Sequence, residues 1–297
     1  EYGALSRQKS EEKMAGARVE MGGKKNATDF ALWKFSPDGV TRDMEWESPW
    51  GKGFPGWHIE CSAMSTEYLG APFDIHTGGV DHIAVHHENE IAQTQGAKGV
   101  LQANTWMHSE FLTMDNGKMS KSLGNLYTIS DLEEKGYDPL VYRYFMLGAH
   151  YRTKLNFTFE ALDAAHNALQ KIRNTVMDWD DPDGECEEFE KKFQKAINDD
   201  LNTPQALAVL WELIDAKLPT SAKAKSLLHM DQVLGLGLKE YISKEIEISK
   251  EVQKLIDERH KAREGKNWEK SDEIRDEIAK LGYTVEDLPD GPRIRLV

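Results

Sequence analysis

Residues 104–125 read "NTWMHSEFLTMDNGKMSKSLGN", and this stretch carries the first strong indication of the fold. It opens with an apolar segment, continues through Asn116-Gly117, and closes with a polar run rich in lysine and serine. Asn-Gly is among the strongest short-range turn signals after an extended segment. The stretch therefore predicts a strand, a tight turn and an exposed polar loop.

Two neighbouring stretches extend this pattern on either side. Residues 71–79, "APFDIHTGG", predict a strand that runs into a glycine turn. Residues 138–150, "DPLVYRYFMLGAH", have an acidic start followed by the apolar spread of a helix. Strands that alternate with helices are typical of α/β domains, so we predict an α/β fold for this part of the chain.

Residues 156–245 predict a helical bundle. Thr158 is predicted to cap a first helix, and the apolar residues of this helix recur every three or four positions. They are Leu162, Ala165, Leu169, Ile172, Val176 and Trp179. A second helix is predicted to begin with Thr203 as its cap and Pro204 at its first position.

The last part of the chain, residues 246–297, is highly charged and predicts a small α+β domain. Two helical segments are separated at Gly265, and two short strands are predicted around residues 289–291. The basic stretch 259–266, with Trp268 nearby, is a candidate contact for RNA backbone or bases. A solvated helix face explains the same charges, and this alternative stays open.

Composition limits the function. The chain has 297 residues and a formal net charge of −14, so a nucleic-acid partner would have to be held by local patches. No apolar run is long enough to span a bilayer, and we expect no membrane partner. Two cysteines do not form a disulfide framework, which favours a reducing, cytoplasmic compartment. We expect Cys186, in an acidic turn-rich segment, to be exposed and inert.

Residues 85–93, "VHHENEIAQ", contain two histidines and two glutamates. In a helix, His86 and Glu90 are four residues apart and share one face, whereas His87 and Glu88 lie off that face. One histidine and one carboxylate at this spacing make half of a zinc site. Solvated side chains on a polar helix face are the alternative that this stretch alone leaves open.

Cys61 lies in "GWHIECSAM", residues 56–64, where a helix is predicted to begin. A helix N-terminus lowers the pKa of a thiol and favours the thiolate that metals bind. Together, Cys61, His86 and Glu90 offer sulfur, nitrogen and oxygen ligands, a mixture that zinc accepts. We therefore predict a zinc site with an open position, or with a further ligand from outside this chain.

The loop that follows the Asn-Gly turn predicts a phosphate-binding element. Lys118 and Lys121 flank Ser120, and Ser122 adds a second hydroxyl. Two ammonium groups and two hydroxyls suit a polyphosphate, because they neutralise charge on a leaving pyrophosphate and donate hydrogen bonds to it.

The string Lys-Met-Ser-Lys-Ser at 118–122 is the second signature of class I aminoacyl-tRNA synthetases, and the chain resembles the cysteinyl-tRNA synthetase family within that class. The resemblance covers essentially the whole chain, in order and spacing. The segments that carry it include "PGWHIECSAMS" (55–65), "HHENEIAQ" (86–93), "VYRYFMLGAHYR" (141–152), "DDLNTPQALAVLWEL" (199–213) and "SDEIRDEIAKLGYTVED" (271–287).

This resemblance implies ATP-dependent activation of L-cysteine and its transfer to tRNA(Cys). It implies that Cys61, His86 and Glu90 hold one zinc ion per chain, and that the zinc binds the thiolate of the substrate cysteine. Trp57 and His76 match residues of the cysteine pocket. A serine hydroxyl is a far weaker zinc ligand than a thiolate, so the metal would select the amino acid.

The resemblance also implies an ATP site. Gly78, Gly79 and Asp81 match the turn that approaches the ribose and adenine, where glycine permits close backbone approach. Lys121 matches the signature lysine on the ATP phosphates, supported by Lys118, with Mg²⁺ accompanying the nucleotide. A monomer in the cytoplasm is the implied state.

The sequence departs from the family pattern at its beginning. No His-x-Gly-His string is present, and no cysteine precedes Cys61. We therefore expect the chain to hold the C-terminal half of a doubly wound Rossmann-like catalytic domain, and to activate cysteine poorly alone. The predicted domains are a connective insertion (1–50), the half catalytic domain (51–125), a stem-contact region (126–155), the helical bundle (156–245) and an anticodon-side domain (246–297).

Two other functions remain open from the sequence. A related ligase joins activated cysteine to a glucosaminyl-inositol and shares the zinc and lysine-loop motifs, but it needs no anticodon-reading region. An inactive zinc-binding or RNA-binding remnant is the other alternative. The helical bundle and the charged C-terminal domain favour the tRNA enzyme over the glucosaminyl-inositol ligase. The intact candidate ligands argue against an inactive remnant.

Overall fold

A computed structural model of the chain describes residues 2–7, 24–26, 28–40, 42–114, 117, 124, 126–246, 248–288 and 291–296. Within these residues the chain forms two units. The first comprises Glu1–Phe111 and Tyr151–Lys154, and the second comprises Leu112–His150 and Leu155–Val297.

The first unit is built around two parallel strands and the helices that join them. Its elements in order are β1 (Trp33–Lys34), β2 (Phe54–Pro55), α1 (Trp57–Leu69), β3 (Phe73–Gly79), α2 (Val80–His82), a π-turn (Ile83–His87), α3 (Glu88–Lys98) and β4 (Ala103–Ser109). Strand β1 pairs with β2 antiparallel, and β3 pairs with β4 in parallel. Because a parallel pair needs a crossover, the helical run from α2 to α3 returns the chain to the start of β4.

The π-turn matters because it introduces the stretch that carries the candidate ligands. We predicted a regular helix over residues 85–93, whereas the structure has wider π-type turns over Ile83–His87 before the α-helical α3 begins. Such π-turns inside helices occur frequently at functional sites. The turn leaves His86 and His87, adjacent in sequence, both buried.

The second unit opens with a parallel strand pair and two short helices. It contains β5 (Leu112–Met114), α4 (Ile129–Glu134), α5 (Pro139–Leu147) and β6 (Leu155–Phe157), and β5 pairs with β6. Helix α5 begins as its sequence predicts, because the Asp138 side chain accepts a hydrogen bond from the Leu140 amide and Pro139 occupies the first turn. Most of the predicted polar loop, including Lys118 and Lys121, lies outside the described residues.

A helical bundle follows, with α6 (Phe159–Val176), α7 (Glu187–Asn198), α8 (Thr203–Asp215) and α9 (Thr220–Leu234). The predicted apolar stripe is confirmed: all six of its residues are buried in the core, five of them on α6 and Trp179 just after the helix ends. The Thr158 side chain caps this helix by accepting a hydrogen bond from the Ala161 amide.

Two details of the bundle differ from expectation. Asn202, rather than Thr203, caps α8, because its side-chain oxygen accepts the Gln205 amide hydrogen bond. The expectation of an exposed Cys186 is wrong: it is only 7% exposed and belongs to the hydrophobic core. Its amide donates to the Ser226 hydroxyl oxygen, which holds the acidic turn against α9.

The C-terminal part contains α10 (Lys250–Glu264), α11 (Trp268–Lys280), β7 (Tyr283–Leu288) and β8 (Gly291–Leu296). The predicted separation at Gly265 is confirmed, and the two strands form an antiparallel hairpin. A separate small core holds these elements together, made of Val252, Ile256, Ile274 and Ile278. The predicted order of α/β, helical bundle and α+β is therefore confirmed.

Among the described residues, no helix combines the length and the apolar character that a bilayer crossing requires.

Candidate metal and cysteine site

Two packed helices bring the three predicted ligands together. Cys61 lies on α1, while His86 and Glu90 lie on the π-turn and the first turn of α3, and α1 packs against α3. One ligand atom from each of these residues lies within 4.8 Å of the others. The geometry is therefore compatible with one small cation held by all three.

Glu90 is a buried carboxylate whose oxygens lack well-directed hydrogen-bond partners among the described residues, as is typical of a metal ligand. Its side chain is fully buried, and neither of its oxygens accepts a hydrogen bond of good geometry. Oε1 lies 3.4 Å from Nε2 of His86, and Oε2 lies 3.0 Å from Nε2 of His76. Because buried charges are normally paired or coordinate metals, this carboxylate and its sulfur and nitrogen neighbours fit a zinc ion.

The thiol of Cys61 differs from the sequence expectation. Burial, and then the charge of Glu90, raise its pKa to about 11, so the predicted lowering by a helix N-terminus is wrong for the metal-free chain. Helix α1 begins at Trp57, and Cys61 is therefore already one turn inside it, where the dipole effect has faded. A metal would have to displace this proton on binding.

His86 is oriented by two aromatic neighbours. The Trp57 ring stacks on its imidazole, with ring centroids 4.0 Å apart and planes inclined by 17°. Nδ1 of His58 lies 2.8 Å from Nδ1 of His86, and burial lowers the pKa of His58 to about 4. When His86 donates from Nδ1 to neutral His58, its Nε2 lone pair faces Glu90, as a metal ligand requires.

His87 is closer to the site than its helical position predicts. It is buried, its Nδ1 lies 2.8 Å from Nε2 of His108, and its ring meets His76 edge-on. His76, His87 and Glu90 form a second set of potential ligand atoms within 4.8 Å of one another. Burial first, and then the neighbouring imidazoles, lower the pKa of His87 to about 3.

Sequence reasoning missed His58, His87 and His108 as parts of this cluster. The π-turn rotates His87 inward, and β4, paired to β3, carries His108 alongside it. A usable signal was present, since α1, β3, the π-turn and β4 each carry at least one histidine.

The predicted nucleotide turn lies at the end of β3. A Cβ atom at Gly78 would lie 2.6 Å from Cε1 of His87 and 2.9 Å from Nδ1 of His82, so any other residue there would have to displace these rings. Gly79 is the last residue of β3, and Asp81 follows with a side chain that is 52% exposed. An ATP role for these residues stays a prediction, as does the phosphate role of Lys118 and Lys121.

The comparisons with known proteins agree with this architecture. Residues 1–167 match the family described as the class I (C) tRNA synthetase catalytic domain. Residues 192–239 match a DALR domain, and residues 246–295 match the cysteinyl-tRNA ligase anticodon binding domain. The first match alone covers more than half of the chain and defines its class, a class I aminoacyl-tRNA synthetase.

Curated relatives narrow the class. Cysteine–tRNA ligase 1 of Burkholderia lata is 51% identical over 295 residues, covering 99% of this chain and 63% of that protein. The cysteine–tRNA ligase of Treponema denticola is 42% identical, covering 96% of this chain and 65% of that protein. The cysteine–tRNA ligase of Idiomarina loihiensis is 43% identical, covering 99% of this chain and 67% of that protein. The chain belongs to the cysteinyl-tRNA ligase family, and it spans about two thirds of the length of these relatives.

Proposed function

We propose that the protein activates L-cysteine with ATP and transfers it to tRNA(Cys), with zinc selecting the cysteine. The observation that carries the proposal is the convergence of half-buried Cys61 with buried His86 and Glu90. A zinc ion held there would supply a borderline-soft Lewis acid that prefers a thiolate to a hydroxyl. The side chains would hold that ion, and the half-exposed Trp57 would border the amino acid.

The reaction would proceed in two steps. The carboxylate of cysteine attacks the α-phosphate of ATP and pyrophosphate leaves; a ribose hydroxyl of the tRNA then takes the cysteinyl group and AMP leaves. Catalysis of this kind depends mainly on positioning and charge stabilisation. Lys121, supported by Lys118 and with Mg²⁺, would neutralise the phosphates, and Gly78, Gly79 and Asp81 would approach the nucleoside.

The C-terminal helices and hairpin are the part we assign to the tRNA. Trp268 is 55% exposed, and the guanidinium of Arg263 lies over its ring at 5.5 Å. An exposed aromatic ring beside a fixed cation suits stacking on an unpaired base and contact with phosphate. The matched anticodon binding domain supports this assignment. We further propose that the protein is a monomer and that it lies in the cytoplasm, a reducing compartment in which two free cysteines are expected.

The metal assignment is tested by comparing the two cysteines. Cys61→Ser should abolish most of the zinc bound after dialysis against metal-free buffer, whereas Cys186→Ser should leave it unchanged. Serine is nearly the same size, so the loss would report the sulfur ligand and not a cavity. Equal zinc content in Cys61→Ser and the unaltered chain would refute the assignment.

The reaction is tested with the whole protein by exchange of pyrophosphate into ATP. Exchange should depend on cysteine and should be negligible with serine, because serine lacks the thiolate. Removal of residues 246–297 should abolish tRNA(Cys) binding and leave zinc binding intact. If tRNA binding survives that removal, residues 246–297 are not the tRNA contact; if the unaltered protein does not bind tRNA(Cys) at all, the glucosaminyl-inositol ligase becomes the better proposal.

A further inference from the structure

A short turn near the start of the chain lies against the helix that carries the candidate ligands. In residues 2–7 the Arg7 amide donates to the Gly3 carbonyl oxygen at 2.8 Å, which closes the turn. Gly3 has a φ of +97°, a conformation that residues with a side chain rarely adopt. The turn is thereby shaped so that backbone N–H groups point towards α3.

Glu88 receives these N–H groups. Its Oε2 accepts the Gly3 amide at 3.0 Å, and its Oε1 accepts the Ser6 amide. The hydroxyl of Tyr2 donates to Oδ1 of the next residue, Asn89, at 2.5 Å. Glu88 and Asn89 are 1% and 2% exposed, so the acceptor side of these hydrogen bonds is shielded from water, which strengthens them.

Glu88 and Glu90 are both buried, but their oxygens are used differently. Each Glu88 oxygen accepts a backbone hydrogen bond, whereas neither Glu90 oxygen accepts one of good geometry. Two residues along a helix turn a side chain to nearly the opposite face. Glu88 therefore lies behind the ligand face, bound to the turn, while His86 and Glu90 present the other face to Cys61.

The contact between Glu88 and the turn of residues 2–7 lies at the junction of the π-turn and α3. Glu88 is the first residue of α3, immediately after the π-turn, and it lies between the two ligands His86 and Glu90. A π-turn is less favourable than regular helix and persists where its surroundings support it. Two charge-assisted hydrogen bonds at its end are such a support.

We propose that Glu88 is a positioning residue for the metal site: by binding the Gly3 and Ser6 amides, it fixes the helix start that aims His86 and Glu90. The inference rests on the proposed zinc site and adds to it a contribution from residues 2–7, which hold no candidate ligand. Residues that orient metal ligands typically contribute roughly tenfold to a hundredfold in affinity.

The test measures zinc affinity by competition with a chromophoric chelator, together with the visible spectrum of the Co²⁺-substituted chain. Glu88→Gln should lower zinc affinity on the order of tenfold to a hundredfold, and it should change the Co²⁺ absorption bands, which report ligand geometry. Gly3→Ala disturbs the same contact from the turn and should act in the same direction. It carries the test if Glu88→Gln does not fold.

Asp231→Asn is the matched control. Asp231 also accepts two backbone amides, from Leu236 at 2.7 Å and Leu238 at 2.8 Å, but in the second unit. Its substitution should reduce stability without changing zinc affinity or the Co²⁺ spectrum. A general loss of stability would therefore affect both variants, whereas a positioning role would affect only Glu88→Gln and Gly3→Ala.

Cys61→Ser separates this proposal from the zinc site on which it rests. If Cys61→Ser loses zinc while Glu88→Gln and Gly3→Ala keep the affinity and spectrum of the unaltered chain, the positioning role is wrong and the zinc site stands. If Cys61→Ser binds zinc as the unaltered chain does, the ligand assignment fails, and the positioning role fails with it.

Discussion

Nε2 of His76 lies 3.0 Å from Oε2 of Glu90, and the other oxygen of this buried carboxylate faces His86. Glu90 is thus shared by two sets of potential ligand atoms among the described residues of the first unit. One set adds Cys61 and His86, and the other adds His76 and His87. If zinc takes Oε1, then His76 can hold Oε2 as a hydrogen-bond donor from outside the coordination sphere, the usual arrangement for a ligating carboxylate.

Glu90→Gln should separate metal binding from stability. The neutral amide removes a buried charge that has no well-directed hydrogen bond, so the metal-free chain should become no less stable. Zinc affinity should fall on the order of tenfold or more, as measured by chelator competition and urea unfolding with and without zinc. Glu67→Gln, on an exposed residue near the other end of α1, is the control and should leave both nearly unchanged. Unaltered zinc affinity in Glu90→Gln would contradict the assignment.

The buried histidines predict a pH dependence of the metal-free chain. The pKa of His87 is about 3, because of burial and then the neighbouring imidazoles, against 6.5 for the ordinary side chain. Between these values the unfolded chain binds more protons than the folded one, so the free energy of unfolding decreases as the pH falls from 6.5 towards 3. His58, with a pKa of about 4, acts in the same direction.

This dependence is measured by urea unfolding between pH 7 and about 4, a range that spans the ordinary histidine pKa. His87→Gln cannot titrate and should make the stability profile flatter than that of the unaltered chain, whatever its effect at pH 7. His260→Gln, whose side chain is 56% exposed, should leave the slope unchanged. An unchanged slope in His87→Gln would show that this imidazole does not cause the acid sensitivity.

Two glycines of the first unit should respond oppositely to alanine. At Gly78 the new methyl group would meet His87 and His82 at under 3 Å, which should displace both rings and destabilise the chain by about 1–3 kcal/mol. At Gly96, on α3, an alanine methyl group would meet no described atom within 4 Å apart from its chain neighbours and the backbone of its own helix, and alanine there should stabilise by about 0.5–1 kcal/mol. Chemical denaturation measures both, and a tolerated Gly78→Ala would contradict the observed close approach.

Asp178 is expected to hold the C-terminal hairpin to the end of α6. Its carboxylate accepts hydrogen bonds from Arg293 at 3.1 Å and from Arg295 at 3.0 Å, and the Arg295 side chain is only 10% exposed. Asp178→Ala leaves a buried guanidinium with fewer partners and should cost about 1–3 kcal/mol in urea unfolding. Glu187→Ala removes an exposed ion pair with Lys191 and should change little. Equal effects of the two substitutions would argue against the hairpin contact.

Much of the fold follows from local pattern. The stripe on α6, the cap at Thr158, the start of α5 after Asp138 and the separation of α10 from α11 are all readable from spacing and capping residues, because helices and caps depend on neighbours within four positions. The pairing of His86 with Glu90 was predictable for the same reason, since residues four apart lie near one helix face, and this holds here although His86 belongs to the π-turn.

The remaining features depend on residues distant in sequence. Cys61 has a raised pKa because the packing of α1 against α3 buries it and then places Glu90 beside it. His87 belongs to the cluster because the π-turn turns it inward and β4 supplies His108. Cys186 is buried in the bundle core, and its amide donates to Ser226 on α9. Sequence spacing set which residue types could act together on one element. Packing between elements decided which of these side chains are buried. Burial and the charged groups brought close from distant parts of the sequence control the protonation of each side chain and its access to a metal.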